Sequence, residues 1–344
     1  LRKSGTCTMN NERARAAPGK LGFEAALQET HKLVQSVLNE PTLCYPGSGL
    51  SELTAYLTQS TGKGMRTRVL LSAAMNAEGL IPANAAKAAA AVELLHMATL
   101  AHDDVIDNAD TRRGRPTLHK NFGNKSAILC GDYLISMSIT MLAGMVSKGD
   151  SLETHAHLAA RFAKTLASIC HGEYTQHLNG GNVDLAILTY LRVITGKTAA
   201  LFYISAFMGA LIGGETEEKA LALGNFGRQL GMVFQIADDC KDYELSEAAA
   251  QKPVGSDLRN GVVTLPLILA LRKNPELRNY AQAAMKSEAD AAFLLAEVRN
   301  ARGPELARAV ARRFEKKALR VLSGLPVRKQ EALFSILHSV LHKD

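Results

Sequence analysis

The sequence predicts an all-α protein built of several long helices. Three observations point there. Aromatic residues make up only 5% of the 344 residues, Trp is absent, and Ala and Leu dominate, which favours helix over strand. No proline falls between Pro116 and Pro253, so several long, unbroken helices fit in that gap. Two acidic clusters, Asp103-Asp104-x-x-Asp107 and Asp238-Asp239-x-x-Asp242, each close an apolar helical pattern. Two such helix ends can face each other across one cavity.

Residues 1–20 carry Arg2, Lys3, Arg13, Arg15 and Lys20 against Glu12 alone, and they lack an apolar core. They read as a disordered basic tail. An appended leader before Met9, a trimmed targeting segment and a native tail all remain open. Residues 21–344 read as one helical domain, 47% of the whole chain being hydrophobic and ample for a core. Most of the net charge of +7 sits in the tail, and the remainder is too weak to argue for nucleic acid. Five cysteines lack CxxC spacing. Cys130, Cys170 and Cys240 fall inside helical patterns as small core or cavity residues, with no zinc site or disulfide framework. A reducing compartment follows: the cytoplasm, or an organelle if the tail is a targeting remnant. Polar residues interrupt every apolar run, so no membrane span is expected.

In chain order, Leu21 to Asn39 and Ser51 to Thr58 show helical spacing, separated by Pro41 and Pro46. Gly62 and Gly64 flank Lys63, and a helix resumes near Arg66. Lys63 and Arg66 at that helix start can point together at an anion; a basic surface turn is the blander reading. From Ala83 an Ala-rich helix runs past His96 to Asp103, two turns further on. Asp103 and Asp107 share one helix face, where oxygen-only carboxylates suit Mg2+ that takes its other ligands from water and phosphates. Arg112 and Arg113 follow, with charge for phosphate oxygens. Alone, this cluster is as well read as a solvated acidic helix end; the second cluster makes the signal specific.

Ser126 to Val146 and Leu152 to Leu178 read as long helices, the latter bearing Gly172, Glu173 and Gln176. Asp184 to Met208 reads as another, kinked at Thr195-Gly196-Lys197-Thr198. A helix from Glu217 delivers the second cluster. Beyond it, a Gly/Pro-rich loop with Lys252, Asp257 and Arg259 is long enough for a lid over phosphates. Asn274-Pro275-Glu276 and Gly303-Pro304-Glu305 look like N-cap, N1 and acidic first turn. The rest, from Leu267, reads as scaffold.

From Gly62 to Pro266 the chain resembles the trans-isoprenyl (polyprenyl) diphosphate synthases. The motifs are GKGMR, HDDVID with RRGRPT, GDYL, GKT, FQIADDCKD and KPVGSDLRNG, in order and near-expected spacing. The resemblance implies a bundle of helices around one deep cavity, a homodimer, and head-to-tail condensation of isopentenyl diphosphate with an allylic diphosphate. It also implies Mg2+, three ions when substrate is bound. Asp103, Asp107 and Asp238 would be direct metal ligands, with Asp104, Asp239 and Asp242 in support. Arg112, Lys197 and Lys252 would grip the allylic diphosphate; Lys63, Arg66, His96 and Arg113 would hold isopentenyl diphosphate. Thr198 and Gln235 would turn dipoles toward the carbocation, and the released diphosphate would accept the final proton. A peripheral membrane contact for product release fits an apolar product.

Two positions depart from the family pattern: Thr67 stands where proline is common, and Val262 where many members carry a lid lysine. Thr99 and Ala98, four and five residues before Asp103, are small, where short-chain members carry aromatics. An open channel toward Ser136, Met137 and Thr140 is expected, and with it a long product of the quinone side-chain range. A shorter product, geranylgeranyl or farnesyl, and a catalytic-type subunit of a heteromeric synthase are the alternatives. A terpene cyclase would normally lack the second DDxxD, and a non-catalytic subunit would normally have lost aspartates.

Overall fold

The computed structural model describes residues 19–39, 49–58, 62–145, 152–244, 255–285 and 287–341. Among these the chain is helical nearly throughout, as its composition predicts. Two short antiparallel ladders are the exceptions: Lys20–Leu21 with Ile81–Pro82, and Thr111–Arg112 with Arg115–Pro116. The proposed tail falls outside the described residues up to position 18; Lys20 itself is laddered rather than disordered.

The helices that position the site are α1 (Phe23–Asn39), α2 (Leu50–Thr58), α3 (Met65–Ala74), α4 (Asn84–Ile106), α5 (Leu118–Phe122), α6 (Asn124–Ala143) and α7 (Leu152–Leu178). They continue with α8 (Ile187–Ile194), a π-helix (Thr195–Ala199), α9 (Ala200–Ile212) and α10 (Glu217–Glu244). Four-residue α11 (Ser256–Arg259) and five further helices between Leu265 and Leu341 pack around them.

Why α4 lies at the centre is written in its residues. Ala85, Ala86, Ala88, Ala89, Ala90, Ala91, Val92, Leu94 and Leu95 are all buried, so the helix is apolar round its whole circumference. It packs on α6 and α3, while α10 packs on α9. The last turns of α4 and α10 turn polar and carry the two aspartate clusters. Gly172 and Gly196 let α7 and the π-helix touch backbone to backbone. A Cβ on Gly172 would stand 2.4 Å from Lys197 N, and one on Gly196 would stand 2.6 Å from Ser168 O.

Several local expectations shift. The kink at Thr195-Gly196-Lys197-Thr198 is a π-helix, one extra residue per turn set into an otherwise regular rod. The helix expected from Asn274 starts at Leu277; Asn274 accepts that residue's N–H at 3.3 Å and closes a turn instead. The N-cap expected at Gly303 is Arg302, at φ 61°, with Pro304 in the first turn. Cys130 and Cys240 are buried, but Cys170 is exposed, because it lies on the outer face of α7. Two stretches, Asn124–Ala143 and Ile187–Ile212, are by length and composition alone apolar enough to cross a membrane, longer apolar runs than the sequence reading allows. The second is the core rod of α8, the π-helix and α9, 78% buried over its most apolar stretch; α6, the first, is only 33% buried.

Candidate active site

The two aspartate clusters repeat one division of labour. In each, the middle carboxylate is buried and held by internal donors. Arg112 donates to Asp104 Oδ1 from both Nε and Nη2 at 2.8 Å. Asp239 accepts from the Tyr190 hydroxyl at 2.5 Å and from Gln235 Nε2 at 2.7 Å, and Gln235 Oε1 in turn accepts from Thr198 Oγ1 at 2.7 Å. The outer carboxylates, Asp103 and Asp107 on α4 and Asp238 and Asp242 on α10, keep partial exposure or more. Asp242 also accepts the backbone N–H of Asp257 at 3.1 Å, tying the end of α10 to α11.

Burial pushes Asp103 up to about 7; Lys197 and Arg112 pull it down, Glu173 and Asp107 push it further up. Burial likewise raises Asp239, against its hydrogen bonds from Tyr190 and Gln235. Crowded carboxylates of this kind call for positive charge. Among the described residues no three His, Cys, Asp or Glu side chains are gathered as a ready-made metal cage. An oxygen-only, incomplete donor set fits a hard divalent ion that takes further ligands from water and substrate phosphates.

A cavity of about 520 Å3 opens beside the second cluster. Lys63, Arg66, His96 and Arg113 line it together with Glu93 and Asp238, so the four basic residues singled out in the sequence converge. Arg66 is lowered to about 10, chiefly by burial, with Glu93 and Asp103 opposing. His96 is held well below its ordinary range by burial and then by Arg66, Arg112 and Arg113, so it is neutral. Arg66 Nη1 lies 3.0 Å from His96 Nε2. A guanidinium only donates, so Nε2 accepts and the ring proton sits on Nδ1. That Nδ1 and Arg66 Nε are both buried without a hydrogen-bond partner. Two orphaned donors, with a lysine and a second arginine around the same cavity, make a receptor for a multiply charged anion.

Arg113 owes its place to a two-residue hairpin. Arg113 and Gly114 both have positive φ, 55° and 76°, between the paired Thr111–Arg112 and Arg115–Pro116. That is the backbone of a type I′ turn, and a non-glycine residue there bears local strain.

Lys197, Thr198, Gln235, Asp107 and Asp239 line a second cavity of about 130 Å3, with Gln176, Tyr190, Asp257 and Val262. Lys197 Nζ lies 2.6 Å from Glu173 Oε2. Burial works against the charge on Lys197, but Asp103 and Glu173 outweigh it and raise its pKa. Lys252 lies outside the described residues. Val262, in place of the lid lysine, gives this cavity an apolar wall.

The expected open channel at Ala98 is closed. Ala98 is fully buried in a cluster with Val34 and Leu38 of α1 and Leu134 and Met137 of α6. Five residues turn a helix by about 140° from Asp103, which carries the Cβ away from the metal face. Thr99, about 40° from Asp103, is half-buried, its hydroxyl donating to His96 O at 2.8 Å. Sequence reasoning missed Tyr190 and gave Glu173 and Glu93 no role. Tyr190 is legible only as a residue two turns before Lys197 on the same helical rod, a signal too common to use.

The Polyprenyl synthetase family profile matches residues 48–300. The chain is 38% identical to "Heptaprenyl diphosphate synthase component 2" of Geobacillus stearothermophilus over 287 residues, 83% of this chain and 86% of that one. Its fold superposes on the crystal structure of heptaprenyl diphosphate synthase from Staphylococcus aureus with a TM-score of 0.83 at 30% identity, covering 94% and 99% of the two chains. A polyprenyl synthase from Caulobacter crescentus, solved with calcium and isoprenyl diphosphate, gives 0.83 at 28% identity, covering 93% and 95%.

Proposed function

The chain belongs to the polyprenyl synthetase family, and from that premise we propose how its residues divide the work. It is a trans-polyprenyl diphosphate synthase, joining isopentenyl diphosphate head to tail to an allylic diphosphate with the help of a divalent metal. In our reading the metal is Mg2+, three ions in the substrate complex, held by Asp103, Asp107 and Asp238 with Asp242 in support. When bound, these ions supply positive charge to the departing diphosphate. Asp104 and Asp239 hold the frame: one anchors Arg112, the other the Tyr190–Gln235–Thr198 chain.

Lys197 grips the allylic diphosphate from the smaller cavity, with Arg112 beside the first cluster and Lys252 from the lid. Thr198 and Gln235 present oxygen dipoles to the carbocation left behind. Lys63, Arg66, His96 and Arg113 hold isopentenyl diphosphate with its double bond toward that cation. The pair of orphaned donors, Arg66 Nε and His96 Nδ1, carries this reading: a neutral histidine beside three cations is built for an anion, not for proton transfer. The proton lost after C–C bond formation goes to the released diphosphate.

The product is long, its tail entering the α4–α6 seam by parting the small-residue packing at Ala98. The exposed apolar face of α6 (Ile128, Leu129, Ile139) is where a second copy docks; peripheral membrane contact serves release of the product. The name of the 38%-identical relative, a "component 2", favours one second reading, a catalytic subunit that needs a partner. Incubating the purified chain alone with Mg2+, isopentenyl diphosphate and allylic primers of several lengths, then sizing the products, tests both. No condensation with any primer would refute the autonomous enzyme; restoration by an added partner subunit would establish the second reading.

A further inference from the structure

The hairpin that carries Arg112 and Arg113 is too small to hold itself. It has one two-residue ladder, an exposed turn and a strained Arg113, and an isolated hairpin of this size is marginal in water. Two backbone bonds within the same segment, Ala109 N to Asp104 O at 3.0 Å and Thr117 N to Asp110 O at 3.0 Å, close its base. Thr117 Oγ1 adds a bond to Ala109 O at 2.7 Å. All of these are local.

Asp104 of α4 holds Arg112 on its first strand, and a residue distant in sequence grips its second. Tyr56, on α2 and 60 residues away in sequence, donates its hydroxyl to Pro116 O at 2.8 Å. The Arg115 guanidinium lies over its ring, 4.9 Å from the centroid, and Phe122 meets the ring edge-on at 5.5 Å. The ring is thus wedged between the second strand of the hairpin and the helix that follows it. The same α2 ends four residues before Gly62, and Gly62 packs directly against the tip of Arg113: a Cβ there would stand 2.9 Å from Nη2. One short helix therefore adjoins both arms of the basic cavity, the Gly62–Arg66 arm in sequence and the Arg112–Arg113 arm through Tyr56.

We propose that Tyr56 is a positioning residue for isopentenyl diphosphate: it fixes the hairpin so that Arg113 faces the basic cavity. This rests on the assignment of that cavity to isopentenyl diphosphate. The hydroxyl and the stacked ring each restrain the hairpin.

The test compares Tyr56→Phe, which keeps the ring and loses the hydroxyl, with Tyr56→Leu, which loses both, in steady-state kinetics and in calorimetric binding of isopentenyl diphosphate to the full chain. The expected result is a graded rise in KM and Kd for isopentenyl diphosphate, about threefold for Tyr56→Phe and about tenfold for Tyr56→Leu. The allylic KM is expected to stay within about twofold, because Asp104 holds Arg112 on its own; mere loosening of the fold would not produce that split. In an Arg113→Gln background the Tyr56 effect is expected to vanish, because both act through one contact. Wild-type affinity in both variants, equal loss for both substrates, or full additivity with Arg113→Gln would each overturn the proposal. If Tyr56→Leu does not fold, the near-isosteric Tyr56→Phe decides on the same criteria. A wild-type chain that fails to bind isopentenyl diphosphate would refute the cavity assignment itself, and the proposal with it.

Discussion

Lys197 Nζ rests 2.6 Å from Glu173 Oε2, and both side chains are largely buried. The contact exists because Gly172 and Gly196 allow α7 and the π-helix to meet without side chains between them. Glu173 thus holds the allylic lysine at the cavity wall while Asp103 adds to the field that keeps it charged.

From this the two pockets are expected to separate kinetically. Lys197→Ala removes a charge-assisted contact worth about 1.5–3 kcal/mol, so the allylic KM is expected to rise at least tenfold, or turnover to fall by as much. Lys63→Ala and Arg66→Ala are expected to act on the isopentenyl diphosphate KM instead. Initial rates with each substrate varied in turn check this, and equal effects from all three changes would contradict the division.

The outer and middle aspartates are expected to fail differently. Asp103→Ala or Asp238→Ala is expected to cut turnover by several orders of magnitude, with the fold intact by circular dichroism. Asp104→Ala leaves Arg112 without its anchor and is expected to cost stability, about 1–3 kcal/mol. That is less than the loss of a fully buried pair, because Arg112 is 35% exposed. Thermal melts of the three variants in metal-free buffer separate the classes. A stable Asp104→Ala protein would show that the middle carboxylate does not hold the frame.

Product length is expected to respond at Ala98, with a penalty. Since no void stands there, Ala98→Phe must part the seam itself, and overpacking costs about 1–3 kcal/mol. Products of fifteen or twenty carbons and a lower melting temperature are expected together. Thr99→Tyr, nearer the aspartate face, is expected to shorten the product and slow the first condensation too. Product sizing by chromatography decides; an unchanged long-chain distribution from Ala98→Phe would mean that the tail runs elsewhere.

Far from the site, Lys329 is 1% exposed and meets Glu215 Oε1 at 2.7 Å. Its hydrogen bond holds Glu215 below the usual carboxylate range, against partial burial. A depressed folded pKa gives stability that is present above the unfolded value, about 4.3, and is lost as pH falls through the folded one. Glu215→Gln is therefore expected to melt several degrees lower at pH 7, with the gap to wild type closing below about pH 4. A gap independent of pH would place the effect in packing rather than in charge.

How much was legible in the sequence follows from the range of each signal. Helix ends at Asn39, Leu178 and Glu217 were readable because proline and apolar spacing are local. The convergence of Lys63, Arg66, His96 and Arg113 was readable only as a family resemblance, since three elements separate in sequence build that cavity. The supporting role of Asp104 and Asp239 was readable only through the resemblance; its physical cause was hidden, because Arg112 and Tyr190 approach from a hairpin and another helix. Ala98 shows the reverse error. Its smallness suggests an opening, whereas in the folded chain it permits close packing of α4 on α6.

The π-helix has a consequence in the currency of genes. A π-turn is an α-helix with one residue too many, and here the surplus falls within Thr195–Ala199. Deleting one codon from that stretch would let the rod close into a regular α-helix. The flanking helices would keep their faces, but the bulge that sets where Lys197 and Thr198 point would be gone. Lys197 and Thr198 could no longer both face the cavity with Glu173 and Gln235 in place. An in-frame loss of Ala199 is therefore expected to behave as a null allele in a complementation assay, although every charged residue of the protein survives it.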